Sequence, residues 1–376
     1  MQKHNTDYSN IKMNILVINW QDWENPFAGG AEVYLYEIFS RLIKRGHAVK
    51  LLVSRAPGQA RHEILNGFNI YRIGRRENFN FFVPGALRSL LRHHKIEIIV
   101  DDLNKIPFYS PLFTRKKVVP MLMHLFRKTI YRETNPIFAS YVFLTEIVIR
   151  WFYPSSNFIS ISESTAEDLR GIGIDNKIDV VHCGMPQKPS LSRIERQKNL
   201  IAYVGRVKKY KSIDHFIKAV ARIKKQRDID AIIVGDGDAK EELEGLSQKL
   251  KLDIKFTGFL SEEEKYSIYS TARVIVQPSV KEGWGLTAIE AQSCSTPVVC
   301  ADSPGLREVV VDGKSGFLYA YGDIEKFADR IIELMDDDVK WNKFSKAAQQ
   351  WARKFSWDNA AIKLEKILQN TVRGDH

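Results

Sequence analysis

Residues Val276 to Ala291 read VQPSVKEGWGLTAIEA. An apolar run ends at Pro278, a loop follows with Glu282, Gly283, Trp284 and Gly285, and a helical pattern opens near Leu286 with Glu290 just over a turn inside it. Glycines let backbone N–H groups approach a ligand, and a helix N-terminus carries positive partial charge, so the segment suits an anion such as phosphate. Glu282 and Glu290 straddle the helix start. Carboxylates beside a phosphate cradle suit a sugar or ribose, which offers hydroxyl donors, and make little sense for bare phosphate.

Upstream, Gly205 to Lys211 (GRVKKYK) follows the apolar run LIAYV directly. Arg206 and Lys211 bracket a tight loop, one as a planar fork and the other as a point charge, a pairing suited to a diphosphate. Neutralising charge is what a departing nucleotide diphosphate requires.

Around these segments strand and helix patterns alternate. The strands expected in the first half are 14–19, 48–53, 70–73, 98–100, 118–123, 158–161 and 178–181, with helices over 31–45, 89–94 and 165–169 among the connections. Ser164 and Glu167 have capping-box spacing. Periodicity stops where Pro and Ser appear, which places a linker at 187–198. Alternation then resumes with strands over 200–204, 231–234, 254–256, 274–277, 298–300 and 316–318. The fold class is α/β, with two facing Rossmann-like doubly wound domains at 1–186 and 199–354 and a final segment at 355–376. Such sheets bind ligands beyond the carboxyl ends of their strands, here in a cleft between the domains.

Composition agrees with a folded, two-domain protein: 376 residues, 44% hydrophobic and 27% charged. Cys183, Cys294 and Cys300 are odd in number and lack CxxC spacing, which argues against a disulfide framework or a cysteine-based zinc site. The polar start MQKHNTDYSNIK lacks the apolar core of a signal peptide, and a cytoplasmic location is expected. The most membrane-like stretch, Ile137 to Tyr153, is too short to span and carries Glu146 and Arg150.

Net charge is +11, unevenly spread: residues 1–190 hold 25 basic and 17 acidic side chains, residues 191–376 hold 31 and 28. Lys105, Arg115, Lys116, Lys117, Arg127, Lys128 and Arg132 fall in one run without an acid, just before that apolar stretch. Residues 105–153 therefore read either as a peripheral contact with an anionic membrane or as a solvated patch. The long loop after the first strand holds Trp20, Trp23 and Phe27, whose rings suit stacking on a sugar or lipid acceptor or, equally, a local cluster under the loop.

GRVKKYK, VGDGD, TGFLSEEE, VQPSVKEGWGLTAIEA and GKSGFL, in that order, resemble the retaining GT-B glycosyltransferases of family 4 across the whole second half. WENPFAGGAEVYLYEIFSRLIKRGHAV resembles that family's first βα unit, and FSWDN the start of its terminal helix, which returns to the first domain. The resemblance implies a nucleotide diphosphate sugar (UDP- or GDP-sugar) as donor, a glycan or lipid-linked acceptor, no cofactor, no required metal and no nucleic acid.

It assigns Arg206 and Lys211 to the diphosphate and leaving group, Glu282 to donor-sugar hydroxyls and Glu290 to the ribose. The backbone from Gly283 through Trp284, Gly285 and Leu286 to Thr287 would touch sugar and phosphate. Gly29 and Gly30 would approach the phosphates from the other domain. Phe259 and Leu260 would flank the base, near Gly205 and Gly235. His124 matches a histidine facing the donor sugar; a strand-end histidine bonded to a backbone carbonyl is the plainer alternative.

Asp236-Gly-Asp238 has the spacing of metal-binding transferase motifs but reads as a tight turn into a helix, and AGGAE lacks a dinucleotide fingerprint. The expected activity is metal-independent, retaining transfer of a hexosyl unit to an acceptor hydroxyl in glycolipid, polysaccharide or envelope glycan synthesis. Its rivals are a GT-B nucleotide-sugar epimerase, a sugar-phosphate-using synthase and a catalytically silent scaffold.

Overall fold

NILVI at Asn14–Ile18 (β1) is buried from its second residue onward, as a central parallel strand covered on both faces must be. It is the middle of the first sheet in a computed structural model that describes residues 11–103, 106–132, 134–185 and 195–374. Lys105, Pro186 and most of the expected linker lie outside the described residues.

The chain divides into two units, Met1–Gly184 with Trp357–His376, and Met185–Ser356. In the first, β1 is followed by α1 (Gly30–Lys44), β2 (Ala48–Ser54), β3 (His62–Leu65), β4 (Phe68–Ile73), α2 (Phe79–His93), β5 (Ile98–Asp102) and β6 (Lys117–Leu122). Then come α3 (Pro136–Ile147), α4 (Ile149–Phe152), β7 (Phe158–Ser160), α5 (Glu163–Arg170) and β8 (Ile178–Val180). The sheet order is β3-β4-β2-β1-β5-β6-β7-β8, with Val17 of β1 registered against Leu51 of β2 and Val100 of β5.

Three local expectations are corrected. Strand β3 was not among the expected strands; it pairs antiparallel to β4 through Asn66 and Gly67, both at positive φ. Helix α2 begins at Phe79 rather than near Ser89, because Phe79, Val83, Leu87 and Leu90 form one buried stripe despite Pro84. The cap of α5 is Ser162, which accepts from the Thr165 N–H at 3.1 Å, so the helix starts before Ser164.

The second unit contains β9 (Gln197–Val204), α6 (Ile213–Ile223), β10 (Asp230–Val234), α7 (Lys240–Lys249), β11 (Ile254–Gly258) and α8 (Glu262–Thr271). It continues with β12 (Ala272–Gln277), α9 (Leu286–Ser293), β13 (Val298–Ala301), α10 (Leu306–Val309), β14 (Gly316–Tyr319), α11 (Ile324–Asp336) and α12 (Asp338–Ala352). Gln197 and Lys198, expected in the linker, already belong to β9. All neighbours are parallel in the order β11-β10-β9-β12-β13-β14. Ile201, Phe216, Ile233, Val276 and Ile331 are among the side chains of one continuous core between sheet and helices.

The last helix, α13 (Trp357–Arg373), belongs to the first unit and packs on α1. Trp357 meets Tyr34 edge-on at 5.8 Å, Arg41 pairs with Asp358 at 2.7 Å, and Glu365 accepts from Arg45 and bonds His47 at 2.7 Å. Gly184 lies so close to Trp357 that any Cβ there would overlap its backbone.

Candidate active site

In the second unit the expected residues collect at the carboxyl ends of four adjacent strands, β11, β10, β9 and β12. Backbone bonds stitch those ends together: Gly205 N–H to Val234 O at 3.0 Å, Gly235 N–H to Gly258 O at 2.9 Å and Val207 N–H to Asp236 O at 2.9 Å. Gly235 has φ +126°, and a Cβ there would overlap the Gly205 carbonyl oxygen, so glycine is required. Tyr203, buried beneath the turn, donates to the Arg206 carbonyl at 2.9 Å.

On this frame Lys211 Nζ lies 2.5 Å from Glu282 Oε1, with the two side chains 11% and 13% exposed. Ser279 Oγ donates to the same oxygen at 2.6 Å. Burial alone would lower the Lys211 pKa, but the Glu282 charge, then Tyr210 and Tyr203, outweigh it and hold the ammonium well above its ordinary value. Arg206 is exposed and has no ion pair among the described residues. The site thus pairs a fixed, charged lysine with a free guanidinium.

The loop carrying Glu282 is anchored at several points. Val280 N–H donates to Tyr210 O and Glu282 N–H to Pro304 O, each at 3.0 Å, and Ser303 Oγ donates to Ser279 O at 2.8 Å. Gly285 caps α9 at φ +91°, and a Cβ there would sit 2.9 Å from the Leu306 side chain. The amides of Leu286 and Thr287 open α9 without intrahelical acceptors, beside Gly283. The Trp284 indole turns inward, 2% exposed and 4.7 Å from Phe355, so only its backbone belongs to the loop's ligand-facing chemistry.

Glu290 is more enclosed than expected of a ribose ligand. Its oxygens accept from Tyr269 Oη at 2.7 Å and Lys265 Nζ at 3.3 Å, and burial raises its pKa against the pull of both. A carboxylate has further lone pairs beyond those two bonds. Lys265 and Tyr269, on α8, are partners the sequence did not reveal. Phe259 projects from the end of β11, 79% exposed, and Leu260 beside it is partly buried.

Asp236 accepts from the Gly237 N–H at 2.7 Å and Asp238 pairs with Lys208 at 2.6 Å, the bonding of a turn. Among the described residues no group of three or more His, Cys, Asp or Glu is placed to hold a metal ion.

In the first unit, His124 follows β6 by two residues, is partly exposed and meets Phe126 edge-on at 4.5 Å. Gly29 caps α1, its N–H donating to Glu32 Oε2 at 2.7 Å, and Gly30 has open space where a Cβ would be. Of the three aromatics expected to stack on an acceptor, Trp20 is a core residue, 5% exposed against Phe79 and Phe108. Trp23 packs on Tyr36 and Phe68 at 4.8 and 4.7 Å, the local-cluster alternative; Phe27 alone is open, 62% exposed with Arg76 over its ring. Near Ile137, α3 exposes Leu144, Phe138 and Tyr141 as well as Ile137 itself (86%), and Trp151 lies just beyond. Among the described residues no helix is long and apolar enough to cross a membrane.

Residues 186–351 match the family described as Glycosyl transferases group 1, and residues 28–187 match Glycosyltransferase Family 4. A glycosyltransferase of Methanocaldococcus jannaschii is 24% identical over 93% of this chain and 96% of its own length. Sulfoquinovosyl transferase SQD2 of Arabidopsis thaliana is 32% identical over 75% of this chain, a match that spans only 53% of that relative. The chain likewise covers 43% of the D-inositol 3-phosphate glycosyltransferase of Corynebacterium aurimucosum, at 33% identity over 46% of this chain. Among solved structures, sucrose-phosphate synthase from Thermosynechococcus elongatus superposes with TM-score 0.81 at 20% identity, over 96% of this chain and all of that one (100%). Anabaena HepE, in complex with UDP-glucose, gives 0.73 at 19%, over 95% and 100%. With both halves matched in order and the fold shared end to end, this chain belongs to the GT-B glycosyltransferases of family 4.

Proposed function

We propose that the chain transfers a hexosyl unit, with retention and without a metal, from a nucleotide diphosphate sugar to an acceptor hydroxyl. The observation that carries this reading is the buried Lys211–Glu282–Ser279 cluster beside an unpaired Arg206, on glycine turns at the strand ends. In the proposed complex Arg206 forks onto the diphosphate and Lys211 balances the charge that develops as it leaves. The α9 amides meet phosphate oxygens, Glu282 accepts from sugar hydroxyls, Glu290 from the ribose, and Phe259 lies along the base. Attack comes from the face the diphosphate leaves, with a departing phosphate oxygen taking the acceptor proton.

HepE was crystallised with UDP-glucose, which favours a uridine donor here. The apolar face of α3, packed on the turn that holds Arg127 and Lys128, together with the basic run Arg115, Lys116 and Lys117 earlier in the chain, supports a cytoplasmic enzyme resting on an anionic membrane, with a glycolipid or envelope glycan as product. Thermal shifts with UDP, GDP, ADP, dTDP and their sugar conjugates test the donor site: one nucleotide stabilises the wild type and not Arg206→Ala. No shift with any nucleotide at millimolar concentration would overturn it.

A further inference from the structure

The first unit holds a concentration of positive charge that donor chemistry does not use. Two adjoining cavities of about 420 and 540 Å³ lie where the chain leaves β2 and β4, and they share Arg55, Gly74 and Arg75. Arg61 and Arg72 line the first and Arg76 the second. Arg72 is 1% exposed: Nε donates to Asp22 at 2.6 Å, Nη1 to Glu63 at 2.7 Å and Ala60 O at 3.3 Å, while Nη2 has no acceptor among the described residues. A buried guanidinium nitrogen without an acceptor is costly, and such groups are nearly always satisfied by something.

Among the described residues Arg55, Arg61, Arg75 and Arg76 form no ion pair, and Glu77 is the one acid on either wall. Five arginines against one glutamate leave +4 on the walls, and still +2 after Asp22 and Glu63 behind Arg72 are counted. The walls are also built. Arg55 Nε donates to Gln59 O at 2.7 Å, Gln59 Oε1 accepts from Ala56 N–H at 2.8 Å, and Asn78 Oδ1 accepts from Arg75 N–H at 2.7 Å. Guanidinium forks facing one space match the several oxygens of phosphate better than the two of a carboxylate. Two lobes with shared arginines suit two linked phosphoryl groups. Phe82 (50% exposed) lines the first lobe and Phe27 (62%) the second, with Phe81 (78%) adjacent, so the charged pocket has an apolar rim.

We propose that this double cavity binds the phosphate or diphosphate of an anionic acceptor. This rests on the transferase reading and adds the acceptor's chemical class to it. Arg55 follows β2 and His124 follows β6, three strand steps away in the sheet, or about 14 Å along its edge at the usual spacing. The phosphate therefore sits at the far end of the acceptor from the hydroxyl that receives the sugar.

Calorimetric titration of the full chain with inorganic pyrophosphate separates the two sites. Wild type binds two equivalents; Arg206→Ala loses one, and Arg55→Gln/Arg75→Gln weakens the other about tenfold or more. A double variant that melts like wild type and titrates like it overturns the proposal, as does a single wild-type equivalent lost with Arg206. If Arg206→Ala titrates as wild type while the double variant loses binding, the donor reading fails and this site stands. Geranyl diphosphate distinguishes the sources: binding at least tenfold tighter than pyrophosphate, and lost in the double variant, marks a lipid-linked diphosphate. Equal binding marks a soluble phosphorylated acceptor.

Discussion

Replacing Lys211 by methionine removes the ammonium and keeps most of the stem, leaving Glu282 in its pocket with Ser279 Oγ as its remaining side-chain donor among the described residues. At 2.5 Å and an effective dielectric near 20, the direct attraction is roughly 7 kcal/mol, most of it offset by desolvating two groups that are almost nine-tenths buried. What truncation exposes is the stranded carboxylate, and the expected loss is about 3–5 kcal/mol. Glu282→Gln strands the lysine instead and should cost a similar amount. The double variant Lys211→Met/Glu282→Gln strands neither charge, so it should be less destabilised than the sum of the singles by about 2 kcal/mol or more. Urea unfolding gives the energies, and hydrogen exchange of peptides from β9 and β12 assigns them to the second unit. Raising NaCl from 0.1 to 0.5 M should leave the coupling nearly unchanged, since a buried pair is weakly screened. Single variants that each lose under about 1 kcal/mol and add without coupling would refute the claim that this pair is a desolvated unit.

Burial pushes Asp101 from the ordinary 3.8 to about 6, against bonds from Tyr153 Oη at 2.6 Å and Ser110 N–H at 3.2 Å. The folded state then holds this proton more tightly than the unfolded chain, so the stability it contributes is full below pH 3.8 and is lost as pH rises through 6. Asp101→Asn, compared with wild type by urea titration at pH 4 and pH 7.5, should gain stability at the higher pH by up to about 3 kcal/mol and little at the lower. His47 accepts from the Met13 N–H at 3.1 Å and bonds Glu365 at 2.7 Å, so His47→Ala should cost about 1–3 kcal/mol and speed amide exchange along α13 before the rest of the first unit.

The two sheets were legible because their strands are short apolar runs at helix-length intervals, and NILVI or LIAYV can hardly be anything else. Strand β3 was not, because His62-Glu63-Ile64-Leu65 is a partly exposed edge without an apolar run; the Asn66-Gly67 turn was the signal available. The residues proposed for the donor site lie in local motifs that the sequence shows directly, at the ends of adjacent strands. Their partners do not: Tyr269 reaches Glu290 across 21 positions through helix packing that leaves no local pattern. Aromatic composition did not separate Trp20 in the core from Phe27 at the surface, since burial depends on what arrives from α2 and the segment after β5. The arginines of the double cavity are scattered from 55 to 76 and meet only because β2 and β4 pair in parallel.

Glycine at 184 and Trp357 are in contact, yet the whole of Met185–Ser356 is translated between them. The second unit is thus an insertion in the first, and biosynthesis reverses their order: the unit whose chain begins later is complete earlier. At 5–20 residues per second, the roughly 170 inserted residues keep α1 waiting about 9 to 34 seconds for the helix that covers it. During that time the surfaces later occupied by Trp357, Leu364 and Leu368 stand open on the nascent chain. A messenger truncated near codon 356 would yield a finished second unit tethered to an unfinished first one, a species for chaperones and proteases to sort.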